Sequence, residues 1–255
     1  MQAKTLSATS LPALEAQLTT LQEANFKATL AIIFTSPRHS LVKIQQIFLT
    51  RNIKLVGCTS AGEIADCEVL EGSITCLIFD IQLEYTSIYL TNRKSDSTYQ
   101  SAFMTGQFAL TQFEHPALVV MSGGVTVNAD KIVMGLRDAL PISIPVFGGL
   151  ASDDLSLQKT LVFTEDEICE DGLLTLILDN DKIEVKGLAA SGWKALGGTN
   201  TITSADGNIV YTINDQPALD VYLRYFGTFD NLNTKVNDLT TISAQYPLQI
   251  LRADG

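Results

Sequence analysis

The sequence predicts an α/β protein made of internally duplicated strand-helix-strand units, forming mixed sheets flanked by helices. Three observations carry that prediction. Short, nearly continuous apolar runs, Leu30–Phe34 and Leu118–Met121, suit strands buried on both faces. Each is followed by a serine and a helical stretch: Ser36 with 40–51, and Ser122 with 128–139. Each half then passes from an apolar strand into a loop of small residues that ends on an acid. The first is Val56-Gly57-Cys58-Thr59-Ser60-Ala61-Gly62-Glu63-Ile64. The second is Pro145-Val146-Phe147-Gly148-Gly149-Leu150-Ala151-Ser152-Asp153-Asp154.

The elements follow in chain order. Residues 1–27 are expected to form a helical segment, because Leu11, Leu14, Leu18 and Leu21 recur at helical spacing. The first repeat spans about 28–92 and the second about 116–190. Gly57 aligns with Gly148 and Glu63 with Asp154, and downstream Gly72–Asp80 parallels Gly172–Asn180. A helix over 96–110 would link the halves. Lys159–Phe163 and Gly172–Leu178 read as a hairpin around the acidic turn 165–171. Residues 191–198 form a Gly-rich loop with the single Trp. Thr201–Thr203 and Ile209–Ile213 flank an Asp-Gly turn. Pro217 opens an amphipathic helix, 218–226, before a polar stretch, 231–241, and a strand-like piece, 246–251.

The spacing Gly57-x4-Gly62 imitates a phosphate-binding loop, but Glu63 stands where that motif needs Lys. Reversing that charge beside a phosphate would cost on the order of 4 kcal/mol at an effective dielectric near 20. The loop can be approached by a ligand, but not by a nucleotide. Residues 57–64, 147–154 and Asp215-Gln216-Pro217-Ala218-Leu219-Asp220-Val221-Tyr222 together resemble, in order, the signature of the FIST domain family. That resemblance implies a small-ligand sensory domain of signal transduction over 28–215. It implies that 216–255 begin a C-terminal module that is only started here. It also implies a ligand such as an amino acid or similar metabolite, and a downstream kinase, cyclase or chemotaxis component.

Composition narrows the alternatives. The net charge of −11 argues against nucleic acid and anionic membrane surfaces. No apolar run reaches the roughly 18 residues that span a bilayer. The N-terminus lacks signal-peptide character, and Cys58, Cys67, Cys76 and Cys169 show no metal spacing, so a reduced cytoplasmic protein is expected.

Within the loops, backbone N–H groups of 57–62 and 148–152 can hold a carboxylate, and Glu63, Asp153 or Asp154 an ammonium. Arg38 and Ser122, after corresponding strands, can add contacts. The expected ligand-binding set is therefore Arg38, Gly57, Cys58, Thr59, Ser60, Ala61, Gly62, Glu63, Ser122, Gly148, Gly149, Ser152, Asp153 and Asp154. No catalytic residue, cofactor or metal is assigned. The competing readings are an enzyme using Cys58 or the Glu63/Asp153/Asp154 cluster, and a haem-based gas sensor ligated by His39 or His115. On the bland readings, Cys58 is a packing residue, Asp153 and Asp154 cap a helix or are simply solvated, and the glycines only permit close strand packing.

Overall fold

The computed structural model describes residues 1–92, 97–125, 127–154, 156–170, 172–188, 194–207, 209–225, 242–243 and 245–250. Two compact units emerge, 1–187 and 188–255.

The first unit is a duplication, and its repeats are longer than the sequence pattern suggests. Repeat one runs β1 (Gln2–Ala8), α1 (Leu11–Glu23), β2 (Leu30–Thr35), α2 (Leu41–Leu49) and β3 (Lys54–Thr59). The hairpin β4 (Glu63–Ala65)–β5 (Glu68–Leu70) and β6 (Ile74–Asp80) complete it. Repeat two runs β7 (Thr86–Asn92), α3 (Thr98–Gln112), β8 (Pro116–Ser122), α4 (Ala129–Ala139) and β9 (Val146–Leu150). The hairpin β10 (Val162–Thr164)–β11 (Ile168–Cys169) and β12 (Gly172–Asp179) follow. The strand order β1-β6-β2-β3 of one sheet matches β7-β12-β8-β9 of the other. In both, the second and third strands of the repeat are parallel and the remaining pairs are antiparallel.

Residues 1–27 are thus more than a helical segment. The strand β1 precedes α1 and pairs along its whole length with β6. It is an edge strand with most side chains in water, so it lacks the apolar run that reveals a buried strand. Likewise α3 is no mere linker; it is the counterpart of α1. The expected hairpin between 159–163 and 172–178 does not form either. β10 pairs with β11 and with β3 of repeat one, whereas β12 joins the second sheet.

Three apolar cores define four layers. Leu14 and Leu18 of α1 and Ile44, Ile47 and Phe48 of α2 pack on one face of the first sheet, through Ile33, Leu55 and Ile78. Its other face meets the second sheet through Leu30, Val56 and Cys58 against Ala117, Met121, Leu174 and Leu176. Ala102, Ala109, Ile132 and Leu136 of α3 and α4 cover the outer face of the second sheet. Strands buried on both faces explain why β2, β8 and β12 are apolar without alternation. Side chains cap the helices: Ser10 accepts from the Ala13 N–H, Ser97 from Gln100 and Asn128 from Asp130.

The second unit holds β13 (Ile202–Asp206), β14 (Ile209–Ile213), β15 (Gln216–Pro217) and α5 (Ala218–Arg224). Asn214 and Asp215 both take positive φ, the geometry of a two-residue hairpin turn between β14 and β15. A cavity of about 240 Å³ is lined by Asn200, Asn214, Gln216, Val221, Arg224 and Tyr225. Residues 245–250 form no strand. The Trp-bearing end of the Gly-rich loop, the polar stretch 231–241, Phe226 and Leu251 lie outside the described residues.

Candidate functional site

The parallel strands β2 and β3 end side by side at Thr35 and Thr59, and the Ser60 N–H bonds the Thr35 carbonyl. The chain leaving β2 carries Ser36, Arg38 and His39. The chain leaving β3 carries Ser60, Ala61 and Gly62 into the β4–β5 hairpin. A third segment arrives from repeat two: the Ser152 N–H donates to the Thr59 carbonyl at 2.9 Å. Asp154 follows it, and its Oδ2 accepts from Ser36 Oγ at 2.7 Å and pairs with Arg38 Nε at 3.3 Å. Loops of both repeats therefore converge at the carboxyl ends of parallel strands, where α/β sheets form crevices. The Arg38 side chain is 73% exposed there, and its guanidinium lies over Gly72. Asp154 takes φ +52°, a left-handed conformation that Asp tolerates better than most residues.

The other two acids are engaged inside the protein. Glu63 is buried; its Oε1 accepts from Ser60 Oγ at 2.6 Å, and its Oε2 from the Ser73 N–H and Oγ at 3.0 and 2.8 Å. It ties the β3–β4 loop to the start of β6. Asp153 caps no helix. Its carboxylate organises its own loop, accepting from Ser156 Oγ and from the N–H groups of Leu157, Gln158 and Lys159 at 2.6–2.9 Å. Burial pushes the Asp153 carboxyl pKa up, but the Ser156 hydroxyl and those three N–H groups outweigh it and hold the group below its usual value.

Residues 29–216 match the sequence model of the FIST N domain. The chain belongs to the FIST family. FIST domains are sensory, non-catalytic domains of signal transduction. No curated protein matches the sequence. In this FIST chain the match opens beyond β1 and α1 and closes at β15, past the boundary between the compact units.

The remaining candidates separate into packing and open positions. A Cβ on Gly57 would come within 2.6 Å of the Phe163 ring and 2.7 Å of the Ile33 carbonyl. One on Gly148 would come within 1.9 Å of the Val120 carbonyl. These equivalent glycines allow close strand packing. Gly62 and Gly149 have room around them. Ser122 is buried and donates to the Gly123 carbonyl. Thr59 accepts through Oγ1 from the Leu161 N–H. Cys58 lies in the core between the sheets, and burial pushes its thiol up to about 12. A thiol so held is scarcely ionised near neutrality and makes a poor nucleophile.

Glu63, Asp153 and Asp154 do not form a cation cage. Each carboxylate binds different protein groups, and among the described residues no three His, Cys, Asp or Glu side chains gather as metal ligands. His39 Nε2 lies 3.0 Å from the Gly72 carbonyl. His115 is exposed and pairs with Asp181, which raises its pKa. Among the described residues no helix is long and apolar enough to cross a membrane.

Sequence reasoning left Ser36 and Ser73 out of the site. Ser36 was legible as the first polar residue beyond a buried parallel strand. Ser73 was not, because its role depends on Glu63 ten residues earlier.

Proposed function

We propose that this FIST chain is a cytoplasmic input module that binds a small ligand, an amino acid or similar metabolite, at the carboxyl ends of β2 and β3. One observation carries the proposal: Asp154 of repeat two meets Ser36 and the exposed Arg38 of repeat one at that edge. A guanidinium beside a carboxylate offers one partner for a ligand carboxylate and one for an ammonium. The backbone N–H groups of Ala61 and Gly62, half-buried beside them, supply further donors. Ser152 brings the second loop to the first. Glu63 and Asp153 hold the two loops in shape, and Gly57, Cys58, Thr59, Ser122, Gly148 and Gly149 form the strand ends beneath. Binding would reach a kinase, cyclase or chemotaxis component through the junction of the repeats.

Differential scanning fluorimetry and calorimetry across the free amino acids provide the test. A subset should raise the melting temperature of the wild type without being consumed. Arg38→Ala should abolish that rise, Glu63→Gln should weaken it through its loop, and Cys58→Ser should leave it intact. Full ligand response in Arg38→Ala would remove the site from this edge. Turnover of a bound compound would favour the enzymatic reading.

A further inference from the structure

We propose that the outer edge of β9 is a docking site for the same strand of a second copy of this chain, joining two second sheets into one continuous sheet. The comparison with repeat one shows what that edge accepts. In β3, residues 54, 56, 58 and 60 bond β2, and Leu55, Gly57 and Thr59 turn outward. Every outward position there is served: Gly57 pairs with Phe163 of β10, the Thr59 N–H donates to the Leu161 carbonyl, and the Leu55 N–H donates to Glu165. In β9 the equivalent outward residues are Val146, Gly148 and Leu150. Among the described residues no strand pairs with them. An antiparallel strand therefore fills this position in repeat one, and among the described residues the same position of repeat two is open.

A second β9 fits the opening. The outward positions are symmetric about Gly148, so a twofold axis sets Gly148 opposite Gly148 and Val146 opposite Leu150. All three are hydrogen-bonded pairs of an antiparallel ladder. The cross-strand side-chain pairs are then apolar, and Val146 and Leu150 are 37% and 45% exposed in the single chain. The strand Val-Phe-Gly-Gly-Leu carries no charge in a chain of net charge −11, so two copies meet there without like charges opposed. It also lacks the lysine, proline or bulge that usually guards an exposed edge, whereas the edge strand β1 carries Lys4.

Light scattering and sedimentation of the full chain across a micromolar dilution series test the proposal, with hydrogen exchange of individual amides. The wild type should show twice the mass of one chain. Slow exchange at the Gly148 and Leu150 amides should be lost on dilution. Val146→Lys with Leu150→Lys sets lysine opposite lysine and should halve the mass. Val146→Glu with Leu150→Lys sets opposite charges together and should restore the dimer. A wild-type monomer at all concentrations overturns the proposal, as does a dimer indifferent to the lysine pair. A monomer with concentration-independent protection at Gly148 means that the same chain supplies the strand, and also overturns it. If the lysine pair fails to fold, the charge-complementary pair and the wild-type exchange pattern still decide.

Discussion

Repeats one and two share strand order and pairing sense, yet they diverge beyond their third strand. In repeat one, residues 60–62 lead from β3 straight into the β4–β5 hairpin, which stays beside its own sheet. In repeat two, residues 151–161 lead from β9 to β10, and that length carries the hairpin across to the other sheet. The longer loop does two things at once: it completes the sheet of repeat one, and it brings Asp154 to Arg38. A duplication thus acquires a polar junction between its repeats by lengthening one connector, with the order of the four main strands unchanged.

The largest expected effect breaks the symmetry of the glycines. Gly148 takes φ +156° and faces a backbone carbonyl, so Gly148→Ala should cost more than the ~1–3 kcal/mol usual for overpacking. Gly57→Ala, pressed on the Phe163 ring and the Ile33 carbonyl, should fall within that range. Urea denaturation compares them, and equal losses would deny that Gly148 is the more constrained of the two positions.

The long connector is probed next. Asp153→Asn removes a charged acceptor from four donors and should cost about 1.5–3 kcal/mol, with no counterpart in repeat one. Its folded pKa is lowered, so its stabilisation is present above the unfolded value of about 3.9 and fades as pH falls through the lower folded value. The gap between wild type and Asp153→Asn should therefore be full at neutral pH and shrink below about pH 4. A pH-independent gap would mean that the loop uses Asp153 for shape alone.

Smaller effects sharpen the comparison. Gly149 stands where repeat one has Cys58, and a Cβ there meets nothing within 4 Å. Gly149→Ala should raise stability by about 0.4–1 kcal/mol, as a tolerated loss of unfolded-chain freedom does. Destabilisation in a melting curve would show the space to be occupied. Arg38→Ala should change stability least, by about 0–1 kcal/mol, since its ion pair is largely in water. A greater loss in chemical denaturation would make Arg38 a structural clasp between the repeats.

Much of this fold was legible because strands buried on both faces leave continuous apolar runs, as in β2, β8 and β12. The edge strand β1 left no such trace, since Lys4 and Thr5 face water. Helix α3 was readable as a helix but not as a repeat element: its buried face is Ser101, Ala102, Thr105, Gly106 and Ala109, too small to form an apolar stripe. The partner of β10 was beyond local reading, because pairing with β3 joins segments more than a hundred residues apart. At the candidate site, type and position after a strand single out Arg38 and Asp154, which the structure joins in an ion pair. The internal duties of Glu63 and Asp153 were not, because an acid that accepts from its own loop looks in sequence like one that waits for a ligand.

The exchanged hairpin also bears on how the chain is made. Strand β3 is complete once residue 59 has been synthesised, but the strand that closes it comes at 162–164. Until then a nascent repeat one presents an open sheet edge, and pairing across so long a separation is slow. Translation of repeat two is therefore part of folding repeat one. A ribosome that stops between them leaves a half able to find that missing strand in another chain.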